Sequence, residues 1–375
     1  MAIQAGLVGL PNVGKSTLFN ALTKSSIPAQ NYPFCTVDPH LAITNVPDER
    51  LGKLAAIFGS QKLIPTTVQF VDIAGLVKGA AKGEGLGNQF LSNIMGVDLI
   101  LHVLRCFEDE SITHVNNTVD PLGDFETIAT ELCLKDIESA EKRMQKIEHQ
   151  LRKGKQSLST QEAKALDQEM ELLTVVKPLL DNCDYHGVQN AIFAALDRGV
   201  TTIPLLSGKK AIFIANVSED DLVDNAYKNN KHYQTVVARF GQPNVIAISA
   251  KIESELAQMD EAEAKEMMES LGFSCTGLSE IIRAAYARLG LISFFTCGPK
   301  EAHAWSIMKN TKVPQAAGTI HSDLERGFIC AEVYNCNDLF EFKTEAALKS
   351  AGKMRVEGKE YVMTDGDVIH VRFNV

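Results

Sequence analysis

Short apolar runs rich in β-branched residues divide the first two thirds of the chain. They lie at residues 3–8, 68–71, 99–104, 211–215 and 245–248. Stretches with helical spacing separate several of these runs, and unbroken apolar strands that alternate with helices are typical of a mostly parallel sheet covered on both faces. A further run at residues 37–46 predicts an additional strand at the edge of this sheet.

Residues 124–200 follow a different pattern, because apolar side chains recur there at alternating spacings of three and four. The seam consists of Ile137, Ala140, Met144, Ile147 and Leu151. Residues 154–160 interrupt it, and Ser159 with Glu162 then matches a capping box at the start of a second helical stretch. We predict an antiparallel helical hairpin inserted after the third core strand, and the alternative is two helices packed on the sheet domain.

The chain changes character again beyond the helix predicted at residues 281–289, which closes the sheet domain. Strand-like runs lie at residues 328–334, 360–364 and 368–375, a helical pattern lies at 339–350, and Asp365-Gly366 is a turn signal. These elements predict a small mixed α/β module at the end of the chain.

The composition is that of an ordinary globular protein. Of the 375 residues, 45% are hydrophobic and 22% are charged, and this length suggests two or three domains. The net charge of −10 argues against a surface that coats nucleic acid, although one domain can still carry a local basic patch. No apolar stretch reaches the roughly 18 residues that a membrane span needs, so we expect no membrane contact.

The cysteine pattern predicts free thiols. The eight cysteines show neither C-x-x-C pairs nor the spacing of a zinc site, and most lie in apolar runs. The N-terminus enters a strand without the pattern of a secretory signal. We therefore expect a cytoplasmic protein in a reducing compartment.

The phosphate-binding pattern G-x-x-x-x-G-K-[ST] occupies residues 9–16, between the first predicted strand and a predicted helix. A helix start presents unpaired N–H groups and the positive end of the helix dipole, which suit a polyphosphate. The expected nucleotide-binding residues here are Asn12, Val13, Gly14, Lys15, Ser16 and Thr17. Lys15 would reach the β- and γ-phosphates as a catalytic residue, and the Ser16 hydroxyl would bind Mg²⁺.

A second motif, D-x-x-G, begins with Asp72 at the end of the strand predicted at residues 68–71. NTPases place a carboxylate of the Mg²⁺ shell at this point, and the Gly75 N–H would meet the γ-phosphate as a catalytic group. Between the two motifs, Thr36 is a candidate switch threonine, and the alternative is a surface threonine. The predicted metal ligands are therefore Ser16, Thr36 and Asp72.

The base-recognition element departs from the guanine-specific pattern N-K-x-D, because it reads Asn216-Val217-Ser218-Glu219. The aspartate of N-K-x-D accepts hydrogen bonds from guanine N1–H and the 2-amino group, and adenine has neither donor. Glu219 is one methylene longer, and Val217 lacks the lysine stem that stacks on the base. Losing such a hydrogen-bond reader removes much of the discrimination, so we expect ATP to be preferred to GTP.

A further loop follows the last core strand as Ser249, Ala250 and Lys251. In GTPases of this class the equivalent loop directs a backbone N–H at the base. Such a donor suits a guanine carbonyl better than an adenine amine, so this loop argues mildly for GTP. We expect all three residues to bind the nucleotide, together with Asn216, Val217 and Glu219.

These motifs resemble those of the YchF/Obg-like ATPases, a branch of the Obg-related translation-factor GTPases. The resemblance rests on residues 9–16, 31–36, 72–75, 216–219, 249–251 and 365–370, so it covers nearly the whole chain. It implies a P-loop G domain at residues 1–123 and 201–290, an inserted antiparallel coiled-coil arm at 124–200, and a TGS domain of β-grasp type at 291–375. It also implies ATP hydrolysis in preference to GTP and association with the ribosome, through rRNA or a ribosomal protein.

Hydrolysis is expected to be slow, because Leu76 stands where Ras-like enzymes have a glutamine that orients the attacking water. His114, in the polar stretch 109–114, is the candidate group that positions or deprotonates that water, and the alternative is a surface histidine. The glycine-rich stretch 78–87 is a candidate second switch, with an uncoupled surface loop as the alternative. We interpret His102 as a hydrogen-bonded histidine of the core.

Three functions are consistent with these residues. The first is a slow ATPase switch that acts near the ribosome, and the second is a conventional GTPase. The third is a module that binds ribosome or RNA, in which the nucleotide tunes conformation and hydrolysis is incidental.

Overall fold

The computed structural model describes residues 4–25, 40–73, 88–112, 118–153, 158–273 and 275–374. Packing contacts divide the chain into two compact units. Unit 1 comprises Met1–Ala42 and Gln69–Leu278, and unit 2 comprises Ile43–Val68 and Ser279–Val375. The domain boundaries given above stay a prediction, because packing contacts do not test where independently folding domains begin.

Strands and helices are numbered in chain order over the described residues. The strands are β1 (Gln4–Val8), β2 (Leu41–Asn45), β3 (Lys62–Ile64), β4 (Thr67–Asp72), β5 (Leu99–Arg105), β6 (Lys210–Asn216), β7 (Val245–Ile248), β8 (Leu291–Cys297), β9 (Glu301–Met308), β10 (Phe328–Asn335), β11 (Arg355–Glu357) and β12 (Asp367–Phe373). The helices are α1 (Lys15–Lys24), α2 (Glu49–Phe58), α3 (Asn88–Gly96), α4 (Pro121–Lys153), α5 (Thr160–Asp181), α6 (Tyr185–Asp197), α7 (Glu219–Leu222), α8 (Lys231–Phe240), α9 (Ala250–Leu256), α10 (Glu261–Ser270), α11 (Gly277–Leu289), α12 (Val313–Ile320), α13 (Ser322–Arg326), α14 (Cys336–Phe342) and α15 (Glu345–Ser350). Across the described ranges, no helix is both long and apolar enough to cross a bilayer.

The first sheet has the strand order β2-β4-β1-β5-β6-β7. β1 pairs in parallel with β4 and β5, and parallel pairing continues through β6 to β7. Every residue of β5 is buried, as expected for a strand covered on both faces. The parallel core and the edge strand β2 confirm the sequence prediction. The carboxyl ends of β1, β5, β6 and β7 share one edge, which is where such sheets bind ligands.

The helices α4 and α5 pack against each other in opposite directions. Arg143 Nη2 lies 2.5 Å from Glu169 Oε2, and Lys177, later in α5, contacts Glu141, earlier in α4, at 3.1 Å. The helical hairpin is therefore as predicted, whereas its coiled-coil character stays a prediction.

The start of α5 carries the predicted capping box. The Glu162 N–H donates to the Ser159 hydroxyl, and the Ser159 N–H donates to the Glu162 carboxylate. The following helix, α6, was not indicated by the sequence pattern, and its Val188 and Ile192 share one buried cluster with residues of both α4 and α5.

The second sheet has the order β11-β10-β12-β8-β9-β3. Its pairing is mixed, because β12 runs parallel to β8 and antiparallel to β10. The helix α2 belongs to the core of unit 2, where Leu54 and Ala55 share a buried cluster with Phe295 and Tyr334. The predicted mixed α/β module is present, and residues 43–68 contribute to its packing.

Two elements predicted for the end of the chain are wrong. The helix predicted at 339–350 is divided into α14 and α15, because Lys343 adopts a left-handed φ of 66° and Thr344 then caps α15. The strand predicted at 360–364 does not form, because Val362 makes only an isolated bridge to Lys312. The strands β10 and β12 are confirmed, and the turn before β12 places Gly366 at φ 88°.

A buried carboxylate joins α4 to the segment that precedes β6. Asp136 Oδ1 accepts a hydrogen bond from the Leu206 N–H at 2.8 Å, and Oδ2 accepts from the Ser207 N–H at 2.7 Å and the Ser207 hydroxyl at 2.6 Å. Burial raises the pKa of this carboxyl, while the donated hydrogen bonds oppose the rise. These bonds fix the point at which the helical segment returns to the sheet.

We expect Asp136→Ala to lower the free energy of unfolding by about 3 kcal/mol, because the substitution leaves buried donors without an acceptor. Urea denaturation followed by circular dichroism measures the change. Glu138→Ala is the matched control on the same helix, since Glu138 is exposed and forms a surface ion pair with Lys135, and its removal should leave stability nearly unchanged. Equal midpoints for the two variants would contradict this role of Asp136.

Candidate functional site

The phosphate loop connects β1 to α1 through backbone conformations that its sequence permits. Asn12 and Gly14 adopt left-handed φ values of 64° and 99°. A Cβ atom on Gly14 would lie 2.2 Å from Asn216 Nδ2, so only glycine fits there. The N-cap residue of α1 is Gly14, which makes no side-chain hydrogen bond to the first turn, and the first N–H groups of a helix suit a phosphate ligand.

Lys15 is folded back into the loop. Its side chain is buried, and Nζ donates a hydrogen bond to the Leu10 carbonyl at 2.6 Å. Burial lowers the pKa of Lys15 to about 8, and the negative charge of Asp72 partly opposes this change. Ser16 and Thr17 are exposed in the same turn, whereas Asp72 is buried at the end of β4. Lys15 and Asp72 therefore interact electrostatically across the start of α1.

Several predicted residues lie outside the described residues. They are Thr36, Gly75 and His114, together with Leu76 and the stretch 78–87. Their roles stay predictions from the sequence. In the part of the chain that is described, no group of three or more His, Cys, Asp or Glu side chains is arranged to hold a metal ion.

A cavity of about 470 Å³ in unit 1 opens beside the phosphate loop. The predicted residues that line it are Asn12, Gly14, Thr17, Asn216, Val217, Glu219, Ser249, Ala250 and Lys251. The remaining predicted nucleotide-binding residues, Val13, Lys15 and Ser16, belong to the same loop and helix turn but do not line this cavity. The chain thus brings together, in one concave space, three loops that lie far apart in sequence.

Asn216 connects these three loops. Its Nδ2 donates to the Val13 carbonyl at 2.9 Å, and its Oδ1 accepts from the Ala250 N–H at 2.9 Å. The Val217 N–H also donates to the Ile248 carbonyl at 2.8 Å. The Asn216 side chain therefore links the phosphate loop to the base-side loops by hydrogen bonds.

Glu219 is paired with a cation at the rim of the cavity. Lys251 Nζ lies 2.7 Å from Glu219 Oε2, and this hydrogen bond raises the pKa of Lys251. The carboxylate at the position of the guanine reader is thus already engaged. The sequence analysis missed this pair, although opposite charges at the carboxyl ends of neighbouring strands are a signal that could have revealed it.

The sequence analysis also missed the wall that follows β5. Phe107, Glu108, Asp109 and Ile112 line the same cavity, as does Ser218. Phe107 comes directly after a buried strand, at the sheet edge where ligands bind, and this position was an available signal. Of residues 109–114, only His114 was predicted to belong to the site.

His102 lies in the core, as predicted, but its predicted hydrogen bonding is wrong. The ring is fully buried, and neither nitrogen has a hydrogen-bond partner among the residues that the structure describes. Its neighbours are aromatic rings, with Phe213 stacked at 5.3 Å and Phe125 edge-on at 5.2 Å. Burial lowers its pKa to about 3, so the ring is neutral at physiological pH.

Comparisons with known proteins agree with this geometry. A family model described as a 50S ribosome-binding GTPase matches residues 4–166, and a YchF C-terminal model, described as a protein of unknown function, matches residues 291–374. The chain is 46% identical over 375 residues to the ribosome-binding ATPase YchF of Bacillus subtilis, with all of both chains covered. It is 44% identical to Obg-like ATPase 1 of Oryza sativa, covering all of this chain and 92% of that protein.

A solved structure extends the comparison to the fold. The Schizosaccharomyces pombe YchF GTPase superposes with a TM-score of 0.82 at 38% sequence identity, covering 99% of this chain and 97% of that one. The P-loop GTPase fold is therefore shown for this chain.

We expect nucleotide binding to take up a proton above pH 8. In the free protein Lys15 titrates near pH 8, and bound phosphates favour its charged form, so affinity should fall as the pH rises through that value. Titration calorimetry in buffers of different ionisation enthalpy should give about 0.7 proton per nucleotide at pH 8.5 and about 0.1 at pH 7.

Lys24→Met is the matched control, because Lys24 is exposed at the other end of α1. It should keep the full proton uptake. Equal uptake at the two pH values in the parent protein would exclude Lys15 as the titrating group.

Proposed function

The chain belongs to the YchF family, and we propose that it is a P-loop ATPase that hydrolyses ATP to ADP and phosphate as a slow conformational switch at the ribosome. The observation that carries this proposal is the cavity beside the phosphate loop, where the guanine-reading position holds Glu219 paired with Lys251. The Bacillus subtilis relative, which aligns with the chain over its full length, is named a ribosome-binding ATPase, and this name supports both parts of the proposal.

The triphosphate would bind at the start of α1. Backbone N–H groups of residues 12–17 would bind the phosphates, and Lys15 would leave the Leu10 carbonyl to contact the β- and γ-phosphates. The Lys15 ammonium group would thus bond to the Leu10 carbonyl without nucleotide and to phosphate oxygens with nucleotide. The Gly75 N–H would contact the γ-phosphate.

The available donors fit Mg²⁺. This ion prefers oxygen ligands and usually takes only one or two from the protein beside phosphates and water. The exposed Ser16 hydroxyl lies in the first turn of α1, and the Asp72 carboxylate lies at the end of β4. Both groups offer oxygen ligands close to Lys15. Thr36 would add a third in the triphosphate state. When bound, the ion neutralises charge on the phosphates.

The base would enter the cavity between the loops after β5, β6 and β7. A guanine-specific site needs an unengaged carboxylate for the N1–H and the 2-amino group. Glu219 is longer than the aspartate of N-K-x-D, and Lys251 donates to its carboxylate oxygen Oε2. Val217 is buried and offers no stem for stacking. ATP is therefore the preferred nucleotide, and GTP binds more weakly.

The ribosome would be contacted outside this cavity. The helical segment 124–200, proposed as a coiled-coil arm, and the segment 291–375, proposed as a TGS domain, are the two candidates, with rRNA or a ribosomal protein as the partner. Such a partner would place the protein in the cytoplasm, as the cysteine pattern also suggests.

The base preference tests this proposal most directly. Titration calorimetry of nucleotide-free protein with non-hydrolysable ATP and GTP analogues and Mg²⁺ should show tighter binding of the ATP analogue. The double substitution Val217→Lys/Glu219→Asp restores N-K-x-D and should shift the preference toward GTP by about tenfold or more.

Asp220→Glu is the matched control, because Asp220 is exposed beside Glu219 and does not line the cavity. It should leave the preference unchanged. Tighter GTP binding by the parent protein would overturn the ATPase assignment while leaving the P-loop switch intact.

Slow turnover gives a second test. With Leu76 at the position of the water-orienting glutamine, we expect His114→Ala to lower kcat for ATP about 100-fold without weakening ATP binding. A phosphate-release assay and calorimetry separate the two quantities. An unchanged kcat with intact binding would remove His114 from the mechanism.

A further inference from the structure

Arg105, the last residue of β5, has a fully buried side chain, with 1% of its surface exposed. A guanidinium group carries a positive charge, so its burial is unfavourable unless its N–H groups are paired. Neither the phosphate loop nor the guanine-type motifs account for this residue. Its hydrogen bonds show which part of the chain the guanidinium group positions.

Among the residues that the structure describes, its three acceptors are carbonyl oxygens of the loop that follows β5. Nε donates to Phe107 at 3.1 Å, Nη1 to Ile112 at 3.0 Å and Nη2 to Asp109 at 3.1 Å. The guanidinium carbon also lies 4.6 Å from the centre of the Phe107 ring. Residues 106–112 form neither helix nor strand. Within this loop the Ile112 N–H donates to the Asp109 carbonyl at 3.2 Å, and the Arg105 side chain donates to this carbonyl and to two others.

The loop is anchored at its start as well. The Cys106 N–H donates to the Asn216 carbonyl at 2.8 Å, and Asn230 Nδ2 donates to the Cys106 carbonyl at 2.8 Å. Beyond Cys106, Arg105 donates to the carbonyls of Phe107, Asp109 and Ile112, and the Asp109 carbonyl also accepts from the Ile112 N–H. Phe107 and Ile112, the apolar residues of this loop that line the cavity, are thus placed by Arg105.

We propose that Arg105 is the positioning residue of the base-binding wall: it holds Phe107 and Ile112 in place, so that the cavity accepts a nucleobase without first having to order the loop. A wall that is already ordered avoids the entropy loss of ordering on binding. This inference rests on the proposed nucleotide site. It gives Arg105 a role in binding of the base and no role in binding of the phosphates.

The experiment compares two ligands that differ in the base. Calorimetry of the full chain measures the affinity for a non-hydrolysable ATP analogue and for inorganic tripolyphosphate, both with Mg²⁺. Arg105→Lys keeps the charge but loses the planar fork that reaches three carbonyls. We expect it to weaken binding of the ATP analogue about tenfold and to change binding of tripolyphosphate less than about twofold.

Arg239→Lys is the matched control, because Arg239 is exposed on α8 and should leave both affinities unchanged. An equal loss for both ligands would mean that Arg105 acts on the phosphate end of the site or through overall folding, and it would overturn the proposal. Unchanged affinity for the ATP analogue would also overturn it.

A second variant keeps the test decisive if Arg105→Lys does not fold. Ser111 is exposed in the same loop, does not line the cavity, and bonds through its N–H and hydroxyl to Asp109 Oδ1. Ser111→Gly loosens the loop and should weaken binding of the ATP analogue about threefold, with tripolyphosphate unaffected. No loss for the ATP analogue would overturn the proposal through this variant.

The same titrations separate this inference from the proposed function. A parent protein that fails to bind the ATP analogue refutes the nucleotide site itself. A parent protein that binds it, with variants that bind it equally well, refutes only the role of Arg105.

Discussion

The amide of Asn216 is the contact on which the site geometry depends. One side chain joins the phosphate loop, through the Val13 carbonyl, to the start of α9, through the Ala250 N–H. The same amide approaches Gly14 so closely that a side chain at that position is excluded. Three loops from three strands therefore share one anchor, and the phosphate and base ends of the cavity cannot move independently near it.

Among the described residues, the two lysines of the site, Lys15 and Lys251, already have partners without a ligand. Lys15 holds the Leu10 carbonyl and interacts with Asp72, and Lys251 holds Glu219. Ligand binding then exchanges partners and does not expose or bury an unpaired charge. Because each contact with the ligand replaces an existing contact, its net contribution to the binding free energy is small. Weak net binding favours release of the product.

The strands of the parallel core and the phosphate loop were predictable, because buried strands and glycine-rich turns leave strong local patterns. The hydrogen bonds that hold the wall after β5 were not predictable, since Arg105 acts through carbonyl groups that any residue carries. The pairing of Lys251 with Glu219 depends on the order of strands β6 and β7 in the sheet. Likewise, the division of the helix predicted at 339–350 results from the left-handed backbone of Lys343. The spacing of apolar residues gives no sign of such a conformation. Local patterns thus predict elements, whereas contacts between distant loops require the fold.

Unit 2 is built from two separate stretches of the chain, and this has a consequence for fragments. Residues 43–68 supply α2, whose Leu54 packs with Phe295 and Tyr334, and β3, the edge strand beside β9. A fragment cut near residue 291 would leave one face of this core uncovered and β9 without its neighbour. Uncovered apolar surface and an open strand edge both promote self-association. Studies of this region in isolation would therefore need the early stretch fused back to it.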